Sequence, residues 1–147
     1  MAQIDIVVGS VYGAAFLVAE TLMDELTGQG HECNLHEEAR LEDISPTRFL
    51  LLVSATTGQG DMPPNLEAFA ADLKDRAPYM KGLNYAVIAM GDSSYEHFCG
   101  AGRQLDTLLL ELGAQPLQPR LEIDATVVDE PEVVALAWLR EWQGQLQ

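Results

Sequence analysis

The sequence predicts an α/β fold, a doubly wound sheet of five parallel strands with helices on both faces, and three observations carry that expectation. Short apolar runs of strand length alternate with longer stretches of helical period along the chain, the pattern of right-handed βαβ crossovers. The runs Ile4 to Val8, Leu50 to Val53 and Leu83 to Met90 are apolar almost throughout, as strands covered on both faces must be. Small-residue, glycine-bearing loops follow strands at Gly9 to Ala15, Ser54 to Asn65 and Met90 to Ala101. All three therefore fall on the carboxyl rim, where open α/β sheets bind ligands.

Each element has its own signal. Ile4 to Val8 runs into Gly9 as the first strand, and Ala15, Val18, Ala19, Leu22 and Leu26 then recur at helical spacing until Gly28 and Gly30 stop the helix. His31 to His36 alternates, with Cys33 and Leu35 on one side, as a half-buried edge strand does. Phe49 to Ser54 is a buried central run. Leu66, Phe69, Ala70 and Leu73 make a short helical stripe ending near Pro78. Leu83 to Met90 is the next central strand, and Ala101 to Leu112 is a helix closed by Gly113. Pro116 and Pro119 interrupt the fifth strand, which resumes at Leu121 to Ile123. Because proline cannot donate to a ladder, this strand belongs at a sheet edge. Pro131 starts the last helix between Glu130 and Glu132, with Val133, Val134, Ala137, Trp138 and Trp142 as its apolar stripe.

Composition narrows the function classes. A chain of 147 residues, 48% apolar and without repeats or low-complexity tracts, reads as one domain spanning residues 1–147. The start, MAQIDIVVGS, has no basic segment ahead of its apolar run, so no signal peptide is expected. No apolar run reaches the roughly 18 to 20 residues of a membrane span. Cys33 and Cys99 are the only cysteines, and their spacing suggests neither a metal clip nor a disulfide framework, which fits a reducing cytoplasm. A formal charge of −15 excludes nucleic acid as a partner, since phosphate backbones are bound by clustered Lys and Arg. It leaves solubility or docking to basic proteins, and a monomer is the expected state of so charged a chain.

The loops carry the candidate chemistry. The first, Ser10, Val11, Tyr12, Gly13, Ala14 and Ala15, joins a strand to a helix, so its N–H groups converge with the positive end of that helix on a site for a phosphate. It contains no Lys or Arg, and it matches neither the Walker A pattern nor G-x-G-x-x-G. On its own it also reads as a plain tight turn at Gly13. The second loop sets Thr56 and Thr57 before Gly58, Gln59 and Gly60, then stiffens at Pro63 and Pro64. Its glycines leave no Cβ between a flat ligand and the peptide. The third combines Asp92, Ser93 and Ser94 with Tyr95, Phe98 and Cys99. Tyr95 is suited to stack on a planar heteroaromatic ring, Phe98 and Cys99 read as anchors of the loop, and His97 as a solvated neighbour.

Together the motifs GSxxGxA after the first strand, ATTGQGDxPxN after the third and GDSSYEHFC after the fourth resemble the flavodoxins. The resemblance is nearest to the short MioC-type flavodoxins and to the FMN domains of diflavin reductases, and it spans essentially the whole chain. It implies a three-layer, flavodoxin-like sheet of order 2-1-3-4-5 with FMN at the switch point. Carried over by position, it implies that Ser10, Val11, Tyr12, Gly13, Ala14 and Ala15 hold the FMN phosphate. Thr56, Thr57, Gly58, Gln59 and Gly60 would follow one edge and face of the isoalloxazine. Asp92, Ser93, Ser94, Tyr95, Phe98 and Cys99 would wrap the other side, with Tyr95 stacked on the ring. Gly58 matches the glycine whose carbonyl turns toward flavin N5 on reduction. Val11, Ala14 and Ala15 stand where many relatives carry hydroxyls, and Thr57 where many carry Trp or Tyr. One-sided stacking and modest affinity are therefore expected.

The function so implied is a low-potential one-electron carrier between a basic flavodoxin reductase and redox acceptor proteins, with no membrane association. No Ser-His-Asp, Cys-His or metal-ligand pattern accompanies the loops, and no independent catalytic constellation is expected. Two other readings stay open, an FMN-dependent NAD(P)H quinone or nitro reductase and a cofactor-free interaction domain of the same fold. A phosphorylated receiver is disfavoured because the third strand ends in Val53, Ser54 and Ala55 rather than in an aspartate.

Overall fold

A computed structural model describes residues 2–11, 13–57 and 60–146. The expectations placed on Tyr12, Gly58 and Gln59 lie outside the described residues. The elements run β1 (Gln3–Gly9), α1 (Ala14–Gly28), β2 (Glu32–His36), β3 (Phe49–Ser54), α2 (Glu67–Arg76), β4 (Asn84–Gly91), α3 (Gly100–Glu111), β5 (Gln115–Pro116), β6 (Leu121–Asp124) and α4 (Pro131–Trp142). The strands pair in the order β2-β1-β3-β4-β5, all parallel, and β6 also pairs with β4. The expected single fifth strand is thus two short pieces. Pro116 and Pro119 break it, and both pieces dock on β4, Gln115 beside Asn84 and Leu121 beside Ile88.

The period-2 alternation of the central strands fills two cores. Ile4, Ile6, Val8, Leu51, Val53, Ala86 and Ile88 face α1 and α4, meeting Val18, Leu22, Leu26, Leu139 and Trp142. Val7, Leu50, Leu52, Tyr85 and Val87 face α2 and α3, meeting Phe69, Leu73, Leu105 and Leu109. Each strand of the centre is therefore apolar on both sides, which is why its sequence lacks alternation. The stripe of α4 differs from the expected one. Ala135, Leu139 and Trp142 are its buried residues, whereas Val133 is exposed.

The buried residues Asp5, Ser54, Asp72 and Asp106 are all paired, whereas the Trp142 indole N–H and the Gln143 Oε1 are buried without a partner among the described residues. Asp5, 1% exposed in β1, accepts a hydrogen bond from Arg48 Nε at 2.7 Å and lies 3.1 Å from His36 Nε2. The Tyr85 hydroxyl donates to Asp106 Oδ1 at 2.6 Å across the β4–α3 interface, and burial pushes its pKa upward. No helix among the described residues is long and apolar enough to cross a membrane.

Candidate functional site

The parallel sheet sends β1, β3, β4 and β6 toward one rim, and a cleft of about 710 Å³ opens there, within the few hundred to about 1,000 Å³ usual for small-ligand sites. Its lining joins Ser10, Val11, Ala14 and Ala15 from the first loop, Thr56 and Thr57 from the second, and Asp92 and Tyr95 from the third. Met90 and Ile123 form its apolar floor. The sequence thus brings together one end of each expected loop, although these loops lie far apart in the chain.

The first loop is shaped by one glycine. Gly13 has φ +90°, a left-handed conformation, directly before α1, and its N–H donates to Ser10 Oγ at 2.9 Å. The Ser10 hydroxyl therefore braces the loop from within. No acidic side chain sits in the first turn of α1, so the positive end of the helix is left to a ligand.

The second and third loops interlock. Thr57 and Asp61 exchange backbone hydrogen bonds of 3.0 and 2.8 Å, closing a tight reversal. Gly60, with φ +89°, lies so close to the third loop that a Cβ there would stand 2.5 Å from the His97 Cβ. A Cβ on Gly100 would meet the Gly60 Cα at 2.9 Å. Gln104 Nε2 donates to the Gly60 carbonyl at 3.1 Å. These contacts make the two loops one wall.

The other expected site residues, Ser93, Ser94, Phe98 and Cys99, do not line the cleft. Cys99 is fully buried in a left-handed conformation at the start of α3, its thiol donates to the Ala89 carbonyl at 3.3 Å, and burial pushes its pKa up to about 12. It anchors the loop as an unreactive thiol. Phe98 lies beneath the Arg103 guanidinium at 5.4 Å, and Arg103 in turn holds Glu122 in a two-point ion pair. Ser93 reaches the loop after β6, and Ser94 bonds within its own loop. The Ser93 N–H donates to Asp124 Oδ1 at 3.2 Å, and Ser94 donates to Asp92. Hydrogen bonds from Ser93 and Thr126 hold the Asp124 carboxyl well below the usual carboxylate range.

Several lining residues stand outside the expected site set, three of them within the second and third loops and the rest after the last strand. Ala55, Gly91, His97, Ala125, Val128, Asp129 and Pro131 also border the cleft. The segment Ala125 to Asp129 leaves β6 at the same rim as the other loops, and its position after the last strand was the available signal. His97, expected as a solvated neighbour, is exposed and borders the cleft.

The electrostatics are one-sided. No Lys or Arg borders the cleft among the described residues, whereas Asp92 and Asp129 do. Tyr95, which lines the cleft, is 55% exposed, and Thr57 offers no second aromatic ring.

Comparisons with known proteins converge on one family. The family model for flavodoxin matches residues 6–138. Flavodoxin YqcA of Pectobacterium carotovorum subsp. carotovorum is 44% identical over 97% of this chain and 95% of its own length. Protein MioC of Escherichia coli K12 is 33% identical over the whole of both chains. A cysteine-to-serine mutant of a flavodoxin from Pseudomonas aeruginosa superposes with a TM-score of 0.89 at 36% identity, covering 98% of each chain.

Proposed function

The chain belongs to the flavodoxin family and is an FMN-binding electron carrier, and from that premise we propose that the rim cleft holds the FMN and that this carrier works at low potential between a basic reductase and redox acceptor proteins. The observation that carries the assignment of the cleft is its polarity from end to end. One end offers the positive terminus of α1 and the loop residues Ser10, Val11, Ala14 and Ala15, suited to a phosphate. The other offers Thr56, Thr57 and the exposed Tyr95, suited to a flat ring.

FMN supplies the redox chemistry when bound, and the chain holds, orients and shields it. In this reading the N–H groups of Val11, Ala14 and Ala15 would receive the phosphate, with no cation to assist, while Ser10 and Gly13 shape the loop through their own hydrogen bonds. Tyr95 would stack on the ring, Thr56 and Thr57 would follow its edge, and the buried Met90 and Ile123 would shield it from water. Ser93, Ser94, Phe98 and Cys99 hold the third loop in place from behind. Asp92 and Asp129, which line the cleft, would disfavour an added electron. A carboxylate about 10 Å away at an effective dielectric of ~20 opposes it by roughly 1.7 kcal/mol, or about 70 mV for one electron.

The reading takes residues 1–147 as one FMN-binding domain acting as a cytoplasmic monomer. It is tested by anaerobic mixing of the FMN-loaded protein with NADPH, alone and then with a flavodoxin reductase. Bleaching of the flavin only when the reductase is present supports the carrier. Rapid bleaching by NADPH alone replaces it with an NAD(P)H-dependent reductase.

A further inference from the structure

Asn65 occupies a position that the cleft does not explain. Its side chain borders the turn where β1 leaves the sheet for the first loop, and its amide is fully engaged there. Nδ2 donates to the Val8 carbonyl at 3.0 Å and to the Glu37 carbonyl at 2.6 Å, while Oδ1 accepts the Ser10 N–H at 3.2 Å. The pairing of β1 with β2 ends at Val7 and His36. In a parallel ladder the carbonyl of one residue and the N–H two residues on pair with the N–H and the C=O of a single residue of the neighbouring strand. Val8 and Ser10 grip the Asn65 carboxamide in that manner, and its second N–H caps the end of β2 at Glu37. A side-chain amide thus replaces the strand partner that β2 no longer provides. Only a primary carboxamide has the one acceptor and two donors that this arrangement uses.

The next residue reinforces the clasp. Leu66 packs beneath Gly9, where an added Cβ would stand 2.3 Å from Leu66 Cδ1 and 3.2 Å from Pro63 Cγ. Pro63 and Pro64 stiffen the approach. Ser10, held by its N–H, holds Gly13 through its Oγ. A continuous chain of hydrogen bonds therefore runs from the exit of the second loop, through Asn65 and Ser10, to the start of α1.

We infer that Asn65 is a positioning residue for the phosphate end of the cleft, setting the loop from Ser10 so that the N–H groups of Val11, Ala14 and Ala15 face the ligand, without touching the ligand itself. This inference rests on the reading of the cleft as the FMN site. FMN and riboflavin share the ring and differ in the phosphate, so the phosphate end is read from the ratio of their affinities. Both are measured on the apoprotein by quenching of flavin fluorescence, for the wild type and for Asn65→Ala and Asn65→Asp. The aspartate keeps the acceptor for Ser10 but loses both donors and sets a charge against two carbonyls. The expected result is a loss of about tenfold or more in FMN affinity in both variants, the scale of one or two hydrogen bonds, with riboflavin affinity unchanged. Retained riboflavin binding also certifies the fold. An equal loss of both ligands, or wild-type FMN affinity in either variant, overturns the inference. A wild-type protein that binds no FMN overturns the reading of the cleft instead.

Discussion

At Gly60 a left-handed backbone and the nearby His97 leave no room for a side chain. Gly60→Ala is therefore expected to destabilise the apoprotein by about 1–3 kcal/mol, the cost of a strained conformation together with overpacking, and to weaken FMN binding as the second and third loops separate. Urea unfolding and flavin titration check the two effects. Tyr85→Phe removes the 2.6 Å hydrogen bond to Asp106 and leaves that carboxylate its ion pair with Arg120. Its expected cost is about 0.5–1.5 kcal/mol in urea unfolding, with unchanged FMN affinity because the pair lies behind the cleft. At this scale the sequence was legible where chemistry is local. The exposed ring of Tyr95 and the left-handed Gly13 follow from residue type and loop position. The role of Asn65 was not legible, since it depends on where β2 stops, 29 residues earlier in the chain at His36.

Elements were legible according to how completely they are buried. β1, β3 and β4 are enclosed on both faces, so their apolar runs leave few alternatives. The stripe of α4 was not. Val134, Ala135, Trp138, Leu139 and Trp142 form a wide apolar face, and which edge of it turns inward is decided by α1 and by the Trp138–Trp142 edge contact at 5.0 Å. A second ion-paired seam joins α2 to the segment after β2, where Arg40 grips Asp72 through hydrogen bonds of 2.9 and 3.0 Å. That guanidinium, followed by the Leu41 N–H, holds the Asp72 carboxyl at about 2, below its ordinary 3.8. A carboxylate with a depressed folded pKa stabilises fully above its unfolded value and loses that contribution as pH falls through the folded one. The gap in urea midpoint between wild type and Asp72→Asn is thus expected to be constant above the ordinary value and to close toward pH 2. A gap that widens on acidification contradicts this.

Over the whole molecule, charge is distributed unevenly. Each of the six arginines has a carboxylate partner: Asp72, Asp5, Glu42, Glu122, Asp106 and Glu25 in turn for Arg40, Arg48, Arg76, Arg103, Arg120 and Arg140. The formal charge of −15 therefore lies mostly on carboxylates without such partners, among them Asp92 and Asp129 at the cleft. Association with a basic redox partner is expected to slow steeply as ionic strength rises, and stopped-flow rates that ignore salt would remove electrostatic docking. The fold itself was legible at this scale from the order of periods, and so was the rim. The fourth side of the cleft, Ala125 to Pro131, was not, because nothing in its composition sets it apart from an ordinary connection.

The most direct test of the cleft is an amide NMR titration of the apoprotein with FMN. Shifts concentrated at residues 10–15, 55–61, 91–98 and 125–129 are predicted, saturating at one equivalent. Shifts centred instead on the opposite rim, around residues 46–49 and 143–146, would contradict the account.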